Sequence, residues 1–527
     1  MKLGIDFGTT RVVVAAVDRG NYPVVTFELP DFSAADWFPP LVAARGAERL
    51  YGWEAWTAQA DPAWTLVRSL KRALEGAGPE TEVCIGGESA SLLDLLREMA
   101  ESLKSSLVRK SSLSIGASEP LEAVLGVPAN AGANQRFLTA EAFRQAGFRV
   151  LGILNEPSAA SIEFGHRQRT TRQKKEPARI LVYDLGGGTF DASLVEIDGS
   201  EHSVIASEGI ATLGGDDFDE ILADLALEAA GVSEETRDGL SQAEIFRLQE
   251  ECREKKESIH PNTRRLELDL SCARNEWPSV SLAVSDFYDR CRPLIEETLH
   301  ATKDLLAAHG ASEPGADVFY VTGGGSELPL VARMVRDRFG SRVRRSAYTR
   351  SATAIGLAIR ADDKIDYKVH DRFARHFGVW READGGRAAR FDPIFQKGVP
   401  LPPPDAPPLE IRRRYAPVHN IGHFRFLECS RLSEDGRPAG DITVWEDIRF
   451  PFDPALREAK DLDAVPVLRL DHAVVAQAEE AYRCDARGIL EVTISSPEDR
   501  FSRQYRLSSR AAGQRRPASR TRRTRRK

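Results

Sequence analysis

The sequence predicts an α/β protein: a duplicated two-lobed α/β domain, followed by a smaller β-sandwich domain and a basic tail. Three observations predict it. Two segments about 180 residues apart share one pattern of apolar strand, aspartate, glycine turn, threonine and apolar strand. Helical and strand periodicities alternate between and after them. That alternation stops after Arg360, where short apolar runs appear between prolines and glycines. The boundaries implied are 1–362 for the α/β domain, 376–509 for the sandwich and 510–527 for the tail.

In chain order, Leu3 to Thr10 (LGIDFGTT) enters a glycine turn, and the run VVVAAV after Arg11 returns from it as a hairpin. Ala90 to Leu107 carries Leu92, Leu93, Leu96, Met99 and Leu103 at helical spacing. Leu121 to Pro128 reads as a buried strand, and Ala133 to Ala146 as a helix stopped by Gly147. Ile180 to Asp191 (ILVYDLGGGTFD) repeats the first hairpin. Helices are expected over Phe218–Leu227, Ser241–Ser258, Phe287–His309 and Ala352–Arg360, with an apolar strand at Asp317–Thr322 before Gly323, Gly324, Gly325 and Ser326. Pro400 to Pro408 is too rich in proline for helix. Strands are expected at His423–Cys429, Asp441–Trp445, Val465–Leu470 and Ile489–Ser495.

Composition excludes some classes. Apolar residues are 42% and charged residues 29%, ordinary for a soluble globular chain of 527 residues. No run of eighteen apolar residues suggests a membrane span. The N-terminus reads as a strand and not as a signal peptide. Six cysteines are scattered without a CxxC pair, which favours idle thiols in a reducing cytoplasm over zinc or disulfides. Arg510 to Lys527 hold nine basic and no acidic residues, so the body is near −16 where the whole chain is −7. Such a tail is expected to be disordered, either plainly solvated or a contact for nucleic acid.

The glycine turns carry the chemistry. Glycine lets backbone N–H groups close around an anion, as a phosphate requires. Thr9, Thr10 and Thr189 add hydroxyl donors. Asp6 and Asp184 end the two matching strands and suit Mg²⁺ held through water, since that ion keeps several of its waters. Asp191, two residues past Thr189, is placed to order or deprotonate a water. One such turn is weak; two in matching contexts, with a third at Gly323 to Ser326, point to a bound nucleotide.

GIDFGTT, NEPSAA (Asn155 to Ala160), DLGGGTFD, LGGDDFD (Leu213 to Asp219) and TGGGSELP (Thr322 to Pro329) resemble, in order and spacing, a DnaK-type chaperone of the 70-kDa heat-shock family. The likeness is strong over roughly residues 1–360. It implies the actin-like (ribonuclease H-like) ATPase fold, ATP or ADP as ligand with Mg²⁺ and optionally K⁺, and ATP hydrolysis controlling the binding of unfolded or extended peptide segments. It implies phosphate contacts from Gly8, Thr9, Thr10, Gly186, Gly187, Gly188, Thr189, Gly214 and Gly215, and from Gly323, Gly324, Gly325 and Ser326. Lys71 is similar to the family lysine that orients the attacking water, Glu156, Asp184, Asp191 and Thr189 complete the catalytic set, and Lys256 keeps its place in the nucleoside pocket. Pro128 and Arg136 resemble the family's proline switch and arginine relay. Phe391 to Pro402 and Cys484 to Thr493 resemble strands of the peptide-binding sandwich. A J-domain co-chaperone, a nucleotide exchange factor and a cytoplasmic setting follow from the same likeness.

The chain also departs from the family. The pocket glutamate becomes Arg253, one adenine-stacking arginine becomes Glu257, the pocket serine becomes His260 and the second stacking arginine becomes Glu327. Losing two guanidinium faces predicts weaker adenine binding or altered base choice, with His260 as a replacement stacking ring. The leucine-rich linker is replaced by DKIDYKVHD (Asp363 to Asp371), which predicts reduced coupling between domains. Only about thirty residues follow Ser496, so a helical lid is not expected, and a lidless groove should release peptide quickly. A nucleotide-gated scaffold with negligible hydrolysis is the alternative, and a sugar or acyl kinase a more distant one.

Overall fold

The computed structural model describes residues 1–29, 33–78, 80–116, 118–170, 178–309, 316–384, 387–403, 406–459, 461–470 and 477–506. The basic tail, and with it the expectation of disorder or nucleic-acid contact, lies outside the described residues.

Strands Lys2–Phe7 and Val12–Ala16 are apolar almost throughout because both faces of their sheet are covered. That sheet runs Arg149–Asn155, Glu122–Val127, Lys2–Phe7, Val12–Ala16 from edge to edge. Leu3, Ile5 and Phe7 face one core; Val13 and Ala15 face another, under the helix Ala352–Ala361. A second sheet repeats the hairpin at its centre. Its order is Val343–Arg345, Val318–Thr322, Ala178–Leu185, Phe190–Asp198, Glu201–Ile210, Lys368–His370. The two sheets are joined where helices Glu156–Thr170 and Ala352–Ala361 cross. A Cβ on Gly356 would lie 1.8 Å from the Ala159 carbonyl oxygen, so only glycine permits that approach.

The helices expected from periodicity form at Leu92–Arg109, Ala133–Gln145, Gly215–Ala229, Gln242–Glu257, Val284–Ala308 and Ala352–Ala361. Helix Gln242–Glu257 begins in a capping box: Ser241 Oγ accepts from the Glu244 N–H at 3.3 Å, and Glu244 Oε2 accepts from the Ser241 N–H at 2.7 Å. The helix ends at Lys256 and Glu257.

After residue 375 the chain forms two four-stranded antiparallel sheets. One runs Ala388–Phe395, His376–Ala383, Ile421–Leu432, Pro438–Pro451; the other runs Leu409–Tyr415, Ala478–Cys484, Leu490–Ser496, Phe501–Arg506. Phe377, Phe395, Phe426 and Phe450 from the first and Tyr482, Val492 and Ile494 from the second share one core. The expected strand at Val465–Leu470 does not form. Val467 and Leu468 are exposed, and the segment is held by Asn420, whose Oδ1 accepts the Leu468 N–H at 2.7 Å.

The segment Asp363–Asp371 is packed into the fold despite its few apolar residues. Lys368–His370 pairs in parallel with Glu201–Ser203 at the edge of the second sheet. Tyr367 is buried, and the buried Asp371 accepts from Ser158 Oγ at 2.7 Å. The C-terminal sheets then rest on the α/β part. Glu428 accepts the Ala133 N–H at 3.3 Å, at the start of helix Ala133–Gln145 where a carboxylate is favoured. Lys397 reaches Glu208 at 2.9 Å.

Candidate functional site

The two hairpins point their glycine turns at each other. Asp6 lies near the end of Lys2–Phe7. Asp184 lies near the end of Ala178–Leu185, directly opposite Asp191 across the second hairpin. The turn closes with the Gly186 N–H on the Thr189 carbonyl at 2.9 Å. Across the gap, a Cβ on Gly187 would meet Thr10 Oγ1 at 2.4 Å, and one on Gly188 would meet Thr9 Cγ2 at 2.6 Å. The third turn begins at Gly323, whose φ of 82° belongs to glycine; a Cβ there would lie 2.2 Å from the Leu185 carbonyl oxygen.

A cavity of about 100 Å³ sits between these turns. Asp6, Gly8, Thr9, Thr10, Lys71, Glu156, Asp184, Gly186, Gly187, Thr189, Gly323, Gly324 and Gly325 line it, so most of the expected site residues converge. Lys71 is buried in a turn, which excludes a solvated helix lysine, and its Nζ donates to Glu156 Oε1 at 2.6 Å. Glu156 opens helix Glu156–Thr170, where the helix dipole favours an acid. Asp191 lines a second cavity of about 270 Å³ that shares Thr9, Lys71 and Thr189 with the first and extends past Pro128 to Glu428 and Asp441. Asp191 therefore approaches the site from the side of the C-terminal sheets.

Other expected residues stand behind this lining. Gly215 gives its N–H to the Gly186 carbonyl at 2.9 Å. A Cβ on Gly214 would strike the Gly187 carbonyl at 2.5 Å, so the Gly214–Gly215 loop backs the second turn. Lys256 pairs with the buried Asp219 at 2.7 Å and donates to the Gly215 carbonyl at 2.5 Å. Ser326 Oγ caps its own turn on the Gly323 carbonyl at 2.6 Å. The structure does not bring His260 to the cavity: it is exposed, with its backbone N–H on Thr263 Oγ1 at 2.9 Å. Arg253 turns away to pair with Glu250, with its guanidinium 5.5 Å from the Trp37 and Trp56 rings. Arg136 is buried and donates to Asn155 Oδ1.

The electrostatics are lopsided. Burial first, and then the charge of Glu156, push Asp6 up to about 8 and Asp184 and Asp191 to about 7. Burial alone would lower Lys71, but Glu156 and Asp6 raise it and keep it charged. One ammonium thus faces four carboxyl groups.

Sequence reasoning missed Arg11 and Arg350 at the outer end of the cavity. Arg11 directly follows the first turn and was legible as a position; nothing in the local sequence marks Arg350. Both arginines pair with Glu257.

A family model described as "Hsp70 protein" matches residues 89–369, over half of the chain. The chain belongs to the Hsp70 family, whose members are ATPases and chaperones. It is similar to "Chaperone protein HscA" of Klebsiella pneumoniae (strain 342), at 30% identity over 381 residues, covering 69% of this chain and 58% of that protein. The chain thus spans a little over half the length of that relative. Among the described residues no helix is long and apolar enough to cross a membrane.

Proposed function

We propose that this chain is an ATP-dependent chaperone of its family, with an actin-like nucleotide domain at 1–362 and a β-sandwich at 376–509. It binds Mg²⁺–ATP between two lobes and hydrolyses it to control the grip on unfolded or extended peptide segments. One observation carries the reading: Asp6, Asp184 and the buried Lys71–Glu156 pair converge on one cavity among three glycine turns.

The donor set fits the ligand. Backbone N–H groups of Gly8, Gly187, Gly324 and Gly325, with the hydroxyls of Thr9, Thr10 and Thr189, are suited to phosphate oxygens, while the Gly186 and Gly323 N–H groups close their own turns on the Thr189 and Thr349 carbonyls. Asp6 and Asp184, whose carboxyl groups burial and Glu156 push up, are the groups whose ionised form a divalent cation would favour. When bound, Mg²⁺ neutralises charge on the phosphates. Lys71 Nζ, fixed by Glu156, is a donor that can orient a water. Asp191, held near 7, is poised to accept a proton from it at neutral pH.

Peptide would add to the C-terminal sheets by backbone hydrogen bonds. A J-domain protein and a nucleotide exchange factor are the partners this reading implies. The paired charges at the cavity mouth favour a second reading, a nucleotide-gated scaffold with negligible hydrolysis. Single-turnover ATP hydrolysis separates them, comparing wild type with Lys71→Ala and Asp184→Asn beside calorimetric binding. Hydrolysis abolished by both substitutions supports the ATPase; binding without hydrolysis in wild type supports the scaffold.

A further inference from the structure

At the outer end of the cavity, charged side chains from separate elements are tied into one chain. Arg11 Nη2 reaches both oxygens of Glu257, at 2.8 and 2.7 Å. Arg350 Nη1 donates to the same Glu257 Oε2 at 2.9 Å, and Arg350 holds Glu327 with Nε at 2.8 Å and Nη2 at 2.7 Å. Arg345 adds a contact to Glu327 at 3.2 Å. Glu257 ends its helix, where the dipole disfavours an acid, so the guanidiniums offset that penalty as well. Burial would raise Glu257, but Arg11, Arg350 and Arg253 hold it at about 2.

This clasp leaves little for a base to use. Among the described residues lining the cavity none is aromatic, and the one apolar side chain is Val13. Arg11 has one guanidinium face covered by Trp37, 5.0 Å from the ring centroid. The cavity is about 100 Å³, whereas pockets that enclose whole small-molecule ligands run to roughly 300–1,000 Å³. At this end, room for a base would be made by opening the clasp, which breaks charge-assisted bonds. Every other feature of the site addresses phosphate and cation.

We propose that this site selects its ligand on the phosphate chain and not on the base. Its substrate class is then triphosphates in general, inorganic triphosphate and nucleoside triphosphates alike. The Arg11–Glu257–Arg350–Glu327 clasp is the specificity-determining element. This rests on the nucleotide-site reading above.

The test is calorimetric binding to the full chain at one ionic strength, with Mg²⁺ and, in turn, inorganic triphosphate, ATP, GTP and CTP. The expected result is dissociation constants within about fivefold of one another. Glu257→Gln with Glu327→Gln frees two guanidiniums to stack, so ATP should gain about tenfold over inorganic triphosphate. A wild-type preference for ATP of about a hundredfold over both GTP and inorganic triphosphate overturns the proposal while leaving the nucleotide site intact. No binding of any of the four overturns both. The wild-type comparison decides even where the double variant does not fold.

Discussion

At the closed end of the cleft, Asp6, Asp184 and Asp191 share the one ammonium of Lys71 with Glu156, and all three are raised to about 7 or 8. At the open end, Glu257 meets Arg11 and Arg350 and is held at about 2. Both ends are built from carboxylates in a partly desolvated cleft. They differ in how much positive charge the chain itself supplies. The closed end is left short of cations and so has a use for one from solution; the open end is satisfied internally and gains nothing from a ligand. A ligand that carries both phosphate and Mg²⁺ completes the first end and has to compete with the second.

Substitutions can break or sharpen that contrast. The largest effect is expected at Lys71. Lys71→Ala should slow single-turnover hydrolysis by about 10²–10³-fold, since a positioned donor is lost, and a loss below about threefold would remove the closed end from the chemistry. Asp184→Asn should act in two directions. Calorimetry should show Mg²⁺–ATP affinity weakened about tenfold. The ligand-free chain should meanwhile melt about 2 °C higher, because a carboxyl whose ionised form the fold disfavours is gone. Glu257→Gln should do the reverse to stability. The ligand-free chain should lose about 1–2 kcal/mol in urea unfolding, because two guanidiniums lose a charged partner.

The pH dependence of that loss follows from the lowered value of Glu257. Its folded pKa of about 2 lies below the ordinary 4.5, so its contribution is complete above about 4.5 and disappears as pH falls toward 2. The stability difference between wild type and Glu257→Gln should be flat from about pH 5 to 7 and should shrink below that. A difference that grows on acidification would contradict the pairing. The smallest effect belongs to Arg345, whose side chain is 47% exposed. Arg345→Ala should cost no more than about 0.5 kcal/mol by the same urea measurement.

Much of the α/β part was legible in the sequence. The apolar run around Asp6 and its copy around Asp184 could be read because strands buried on both faces are apolar throughout, and because a tight turn near an anion demands glycine. The helix Ala133–Gln145 was legible with its stop at Gly147, and Gln242–Glu257 as a charged helical run. Val465–Leu470 misled, because a short apolar run says nothing about whether a partner strand is within reach. The pairing of Lys368–His370 with Glu201–Ser203 was hidden for the opposite reason. An edge strand held by backbone bonds needs few apolar side chains.

By itself the sequence determined the three glycine turns, the aspartates that precede two of them, and the charge reversals at Glu257 and Glu327. These are local signals, since turn conformation and residue identity are properties of a few neighbouring positions. Only the tertiary structure decided that Arg11 and Arg350, 339 residues apart by their numbers, would close on the same Glu257. It also decided that His260 would face water. Which charge meets which depends on how helix Gln242–Glu257, the first hairpin and the segment before helix Ala352–Ala361 pack around one cavity, and no local sequence pattern encodes that distance.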